Sequence, residues 1–171
     1  MEPTRKRAAH FNRYQSSAIM KWSKLKSLVE ARFAPSVKKR LAINSTRYGN
    51  CTCGRAWITL DGKEIANFCT RAYHLVEGGY VDPATRRTNE TLVDFGELSR
   101  QNAYESCWAF VHDLSIEDAL QDSDPLIQTL AVLDSRLGKR RISQIDIETL
   151  HPLARRLFEV RAEAERNIEK D

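Results

Sequence analysis

No run of apolar residues in this sequence approaches the roughly 20 needed to span a bilayer, which excludes a helical membrane protein. The basic N-terminus is followed by no apolar stretch that would form the core of a signal peptide, so export is not expected. Also missing are G-x-S-x-G, H-E-x-x-H, a Walker A loop and G-x-G-x-x-G, so an enzymatic reading rests on no specific signature. There is no internal repeat, which argues against a repeat array. Excess charge is scarce where it would matter. The chain carries +4, but residues 1–19 hold Arg5, Lys6, Arg7 and Arg13 against Glu2, a net +3, which leaves +1 for the remainder. A nearly neutral domain does not demand a polyanionic partner.

What is present is enough for one domain. At 171 residues, 42% hydrophobic and 29% charged, the chain builds a single core but not two comfortable ones. Residues 1–19 are polar, basic and without period, and are expected to form a flexible basic tail ahead of a single α+β domain over 20–171. From Met20, Trp22, Leu25, Val29 and Phe33 recur at helical spacing with lysines between them, and Pro35 closes this amphipathic helix. Asp61-Gly62 between "AWITL" and "KEIANF" is a hairpin signal, because both central residues of a type I′ turn need positive φ. "RLAIN" supplies a third strand. The stretch from Cys69 to Glu97 reads mostly as loop, with turns at Gly78-Gly79 and Asp82-Pro83 and a short strand at "TLVDF".

The second half reads as helical. Ser99 caps a helix with Ala103, Tyr104, Cys107, Trp108 and Val111 on one face, and Ser115 with Asp118 forms a capping box. Asp124-Pro125 opens a helix whose Leu126, Leu130, Leu133 and Leu137 make a buried seam closed by Gly138 at C′. Pro152 starts a last helix using Leu153, Leu157 and Val160.

Three cysteines and a histidine crowd into residues 50–74, and zinc would need four ligands converging on one point. An unbroken ladder from the Asp61-Gly62 turn tests that. It puts Cys51 and Cys53 on the Trp57 face and Cys69 on the Ile58 and Ile65 face, so the sulfurs point apart and no metal site is expected. In a chain that is not exported the cysteines should be thiols. "DGK" also matches a fragment of metal-dependent nucleases, but a tight turn aims Asp61 at solvent. Asp113, Glu117, Asp118, Asp122 and Asp124 fall where helix caps and first turns favour negative charge. His112 and His151 flank helices with no nucleophile in a known motif beside them. "GKRR" follows a helix C-terminus, where cations are favourable in any case. It is nonetheless the one surface to which a partner-binding role is assigned: Lys139, Arg140 and Arg141, joined by Arg155 and Arg156 if the last two helices pack antiparallel.

"MKWSKLK" at 20–26, "WITLDGKEI" at 57–65 and "LDSRLGKRRI" at 133–142 resemble a family of small bacterial proteins whose members begin at a methionine matching Met20. The likeness runs over most of residues 20–165 and carries no activity with it. It implies a bacterial, cytoplasmic protein. The expected fold is α+β, with an N-terminal helix, a small antiparallel sheet and a C-terminal helical layer. The expected function is a non-enzymatic protein-interaction protein, inhibitor-like or immunity-like, without a cofactor and binding another protein. The alternative is a nucleic-acid-binding accessory protein using the same cations, and the third reading is a small metal-dependent hydrolase.

Overall fold

The computed structural model describes residues 20–49, 53–78 and 92–168; the expected tail over 1–19 lies outside the described residues. The first helix, α1 (Trp22–Ala31), buries Leu25 and Val29 and leaves its lysines toward solvent. It stops before Phe33, not at Pro35. Phe33 is buried outside the helix, bridged to Asp134, while the Ala34 N–H donates to the Leu133 carbonyl at 2.8 Å and the Ser135 N–H to that of Arg32 at 2.7 Å. Two chain segments about a hundred residues apart thus satisfy each other's backbone at their helix ends.

Strands β1 (Leu41–Arg47), β2 (Gly54–Leu60) and β3 (Lys63–Cys69) form an antiparallel meander in the order β1-β2-β3. Asp61 (φ 50°) and Gly62 (φ 79°) make the expected tight turn. Asp61 does not simply face solvent: Arg40 clamps its carboxylate through Nε at 2.9 Å and Nη2 at 2.7 Å. The ladder is broken once. Leu60 pairs with Lys63 and Thr59 with Glu64, but Ile58 pairs with Ala66, so Ile65 is an extra residue in β3. Everything beyond it changes face. Cys69 stands opposite Arg55, on the Trp57 side, and the expectation that it lies on the Ile58 side is overturned.

One face of the sheet is apolar and packed: Ile43, Ala56, Ile58, Ala66 and Phe68 are buried in the common core. Helices α2 (Thr70–Gly78) and α3 (Arg100–His112) lie against strands β2 and β3. The opposite face carries Asn44, Thr46, Arg55, Trp57, Glu64 and Asn67, half-buried or exposed. α1 guards the outer edge of β1, where Glu30 Oε1 accepts from the Ile43 N–H at 3.0 Å and Lys26 donates to Asn44 at 2.8 Å.

The assignment of residues 70–78 to loop is corrected by α2, which begins directly at the end of β3 and buries Ala72. Of "TLVDF", Thr91 is outside the described residues and 92–95 form bends and a turn, not a strand. Ser99 caps α3 with Asn102 as the reciprocal partner, and the buried stripe of this helix runs through Ala103, Ser106, Cys107, Ala109 and Phe110, with Trp108 and Val111 only half-buried. α4 (Ile116–Leu120) is capped by Ser115, and α5 (Pro125–Leu133) by Asp124, whose Oδ1 accepts from the Leu126 and Ile127 N–H groups. Every residue of α5 is buried, so this helix is apolar all round and forms the axis against which α3, α4 and α7 (Pro152–Ile168) pack. α5 ends at Leu133, one turn earlier than the leucine seam suggests. Leu137 is buried beyond it, and Gly138 is the N-cap of α6 (Lys139–Ile142) rather than a C′ residue.

Candidate functional site

Lys139, Arg140 and Arg141 therefore belong to a one-turn helix of their own, all three exposed. The macrodipole of α5 does not account for them. They stand on a rigid mount. Asp134, with a side chain 0% exposed, accepts from the Arg136 backbone N–H at 2.8 Å and from Arg136 Nη2 at 2.7 Å, which fixes the turn between α5 and α6. Beneath it, Arg161 of α7 is 3% exposed and donates to the carbonyls of Val132 (2.9 Å), Asp134 (2.8 Å) and Leu137 (2.7 Å), with Nε on Glu165 at 2.7 Å. These are the orphan carbonyls at the end of α5 and in the turn that follows. Sequence reasoning passed over Arg161, although an arginine one position past Val160, on the apolar stripe of α7, was the available signal.

Three of the five predicted cations meet separate acidic partners. Arg141 pairs with Glu117 of α4 at 2.7 Å, Arg155 with Glu148 at 3.1 Å, and Arg156 with Glu159 at 3.8 Å. Each of these three cations is thus neutralised locally, and no contact joins Lys139, Arg140 and Arg141 to Arg155 and Arg156 among the described residues. Four of the five acidic residues noted in the sequence are also engaged: Asp118 accepts from Ser115, Asp122 from the Asp124 N–H, Asp124 caps α5, and Glu117 holds Arg141.

On the open face of the sheet, the Arg55 guanidinium lies 4.2 Å from the Trp57 ring centroid and is held by Glu64 at 2.7 Å. Beside it, Arg71 sits 5.3 Å over the Tyr48 ring, and the Tyr48 hydroxyl is 4.0 Å from the Cys69 sulfur. The bulge at Ile65 creates this neighbourhood by turning Cys69 to the Arg55 side. Among the described residues no three His, Cys, Asp or Glu side chains gather as a metal ligand set; Cys51 lies outside the described residues.

A third feature is a polar cleft of about 410 Å³ between Leu120 and Asp122 on one side and Thr149 and His151 on the other, with Gln128 at its floor. Gln128 accepts from the His151 N–H at 2.7 Å. His151 Nδ1 accepts from the Leu153 N–H at 3.2 Å, and Nε2 is 2.9 Å from Glu97 Oε1.

A family model described as the SF0329 protein family matches residues 21–162. The chain belongs to the SF0329 protein family. No curated protein and no solved structure matches it. The span shared with the SF0329 family runs from the first residue before α1 to the residue after Arg161, so it takes in the sheet, the turn between α5 and α6 held by Arg161, and the His151 cleft.

In this SF0329 chain the groups best placed to titrate are tied to the fold. Both ring nitrogens of His151 are engaged, Nδ1 as an acceptor that caps α7 and Nε2 toward Glu97, so neither is left to act as a base toward the cleft. The Cys107 thiol is fully buried; burial and, after it, the neighbouring Asp124 push it far above the ordinary thiol range, which removes it as a nucleophile. Burial by itself would raise Glu97, but His151 and the Asp94 N–H outweigh it and hold its carboxyl below the usual value. A carboxyl depressed in the folded state contributes stability that is present above its unfolded pKa and is lost as pH falls through the folded one. Chemical unfolding measured from pH 6 downward should therefore show stability falling below about pH 4.5, with a shallower slope in Glu97→Gln; equal slopes would mean that the Glu97–His151 contact contributes nothing.

Proposed function

We propose that the chain is a non-enzymatic interaction protein of the bacterial cytoplasm, inhibitor-like or immunity-like, that binds another protein through the surface of Lys139, Arg140, Arg141, Arg155 and Arg156. The observation that carries this reading is the interleaving of those cations with carboxylates: Glu117, Glu148 and Glu159 each hold one of them. A uniform polyanion such as nucleic acid would meet repulsion at Glu117, Glu148 and Glu159, whereas a protein rim of mixed sign complements them. The mount under α6 adds support, because cations held on a pre-ordered turn lose little conformational freedom on binding. No helix among the described residues is long and apolar enough to cross a membrane.

The test is the Arg140→Ala, Arg141→Ala double variant assayed against the protein that co-purifies from the native host. Both side chains are exposed, so stability should change by no more than about 1 kcal/mol, while capture of the partner weakens about tenfold. Undiminished capture by a folded variant would refute the assignment. Binding to mixed-sequence DNA or RNA whose logarithm falls steeply with the logarithm of salt would transfer the surface to nucleic acid.

A further inference from the structure

A guanidinium drawn below the surface of this fold ends on a carboxylate or on carbonyls. Arg40 has Asp61, Arg55 has Glu64 and Arg155 has Glu148, while Arg32 gives its two Nη groups to the Phe110 and Val111 carbonyls and Arg161 has been described. Arg100, the first residue of α3, is also half-buried, and it does neither. Its Nε donates to Ser45 Oγ at 2.8 Å, and among the described residues its two Nη groups meet no acceptor. Arg140 and Arg166 lack a carboxylate too, but they are exposed and leave their charge to water at little cost; a partly desolvated guanidinium cannot.

A second cation makes the demand larger. Ile43 is buried in the core, so the alternation of β1 puts Ser45 and Arg47 on the same face of the sheet, the one against which α3 packs. Arg47, at the exposed last position of β1, stands opposite Gly54 and makes no ion pair among the described residues. Gly54 is where the two arginines meet: a Cβ there would lie 2.7 Å from Arg100 Cδ and 3.0 Å from Arg47 Cα. The missing side chain lets the Arg100 stem through. Burial first, and then the field of Arg47, weaken the hold of Arg100 on its proton, as expected of like charges with no counter-charge between them.

We propose that Arg47, Arg100 and Ser45 form a binding site for a phosphate monoester. Charge selects the ligand. A phosphate monoester carries about −1.5 to −2 at neutral pH and so answers both guanidiniums with one group, whereas a carboxylate or a phosphodiester brings a single charge. Shape agrees. The Nε of Arg100 is taken by Ser45, which leaves its Nη edge to hold two phosphate oxygens in parallel and a third oxygen for Arg47. Ser45 Oγ accepts from that Nε, so its own proton, which has no acceptor among the described residues, is available to the same phosphate. The Ser45 contact also orders the Arg100 guanidinium before the ligand arrives.

The site stands apart from the α6 surface, and its test does not involve the co-purifying partner. The full chain, labelled with nitrogen-15, is titrated at neutral pH and constant ionic strength with inorganic phosphate, methyl phosphate, dimethyl phosphate and acetate, following the Arg100 Nε–H and the backbone amides of Ser45 and Arg47 by NMR. Inorganic phosphate and methyl phosphate should shift these signals with a Kd on the order of 1 mM, as suits ligands of about five heavy atoms. Dimethyl phosphate and acetate should bind about tenfold more weakly or worse. Arg47→Gln, at an exposed position, should weaken methyl phosphate about tenfold, and Arg140→Gln should change it less than about twofold. A phosphoserine peptide of otherwise neutral residues tells the sources apart: tighter binding than methyl phosphate assigns the site to a phosphorylated protein, equal binding to a small phosphorylated molecule, and either result upholds it. Signals unmoved by phosphate, binding indifferent to Arg47→Gln, or acetate or dimethyl phosphate binding as well as methyl phosphate overturns the proposal. Should Arg47→Gln fail to fold, the comparison of the four anions on the unaltered chain decides alone.

Discussion

Arg161→Met should lower the stability of the fold by about 3–5 kcal/mol, the range seen when one partner of a buried charged network is removed. The side chain is 3% exposed and donates to three carbonyls, of Val132, Asp134 and Leu137, which have no route to water once it is gone. Methionine fills much of the volume, so the loss reads the hydrogen bonds rather than a cavity. Glu165 is only partly buried and can turn to solvent, so its stranded charge adds little. Arg161→Lys should recover less than half, because an ammonium cannot reproduce a fork that reaches two carbonyls from one nitrogen and a third from another. A thermal midpoint lowered by on the order of 10 °C is the corresponding calorimetric result for a chain of this size. A drop of less than a degree or two would mean that the carbonyls find water and that the turn before α6 is not held from below.

The second large effect is expected at Gly54→Ala, where a single methyl group should destabilise by about 3 kcal/mol, toward the top of the range for overpacking. Gly54 is not at a positive φ, so the cost is not backbone strain. A Cβ at this position would run into the carbonyl oxygen of Thr46 and into the Arg100 side chain at 2.7 Å. The Thr46 oxygen belongs to backbone paired in the ladder, and it cannot move without opening the β1–β2 register. The result separates from that of Arg161→Met in kind as well as place. Gly54→Ala should loosen amide exchange protection in β1 and β2 first, whereas Arg161→Met should loosen α5 and α7. Unchanged protection in the sheet would show that Arg100 alone yields and that the strands absorb the methyl.

Local chemistry was legible in the sequence wherever a few neighbouring residues decide the outcome. Asp61-Gly62, Ser99, Ser115 with Asp118, Asp124-Pro125 and Pro152 each act within one turn of chain, and each stands at the expected element boundary. The misreadings share the opposite character. Ile65 is an extra residue in a strand where Ile65 and Ala66 are adjacent and both apolar, so "KEIANFC" does not by itself say which of them the ladder skips. Phe33 keeps helical spacing with Val29 but leaves the helix because Leu133 and Ser135 claim the backbone around it. α5 stops at Leu133 for the reciprocal reason. The predicted cations were found on the surface, yet their carboxylate partners Glu117 and Glu148 come from other elements, so the mixed sign of that surface could not be read from "GKRR".

The pairing of the α1 end with the α5 end has a consequence for how the molecule is made. Arg32, Phe33 and Ala34 emerge from the ribosome about 5–20 seconds before Leu133, Asp134 and Ser135, at a synthesis rate of 5–20 residues per second. During that interval α1 has no finished C-terminal connection, Met20 waits for the Tyr104 hydroxyl that binds its carbonyl, and Arg32 waits for the carbonyls of Phe110 and Val111. The N-terminal third of the domain cannot close on itself as it appears. Its completion is a late event that links the first helix to the axis helix in one step, so the nascent chain passes through a stage in which the meander hairpin, built from neighbours in sequence, is the element able to form unaided.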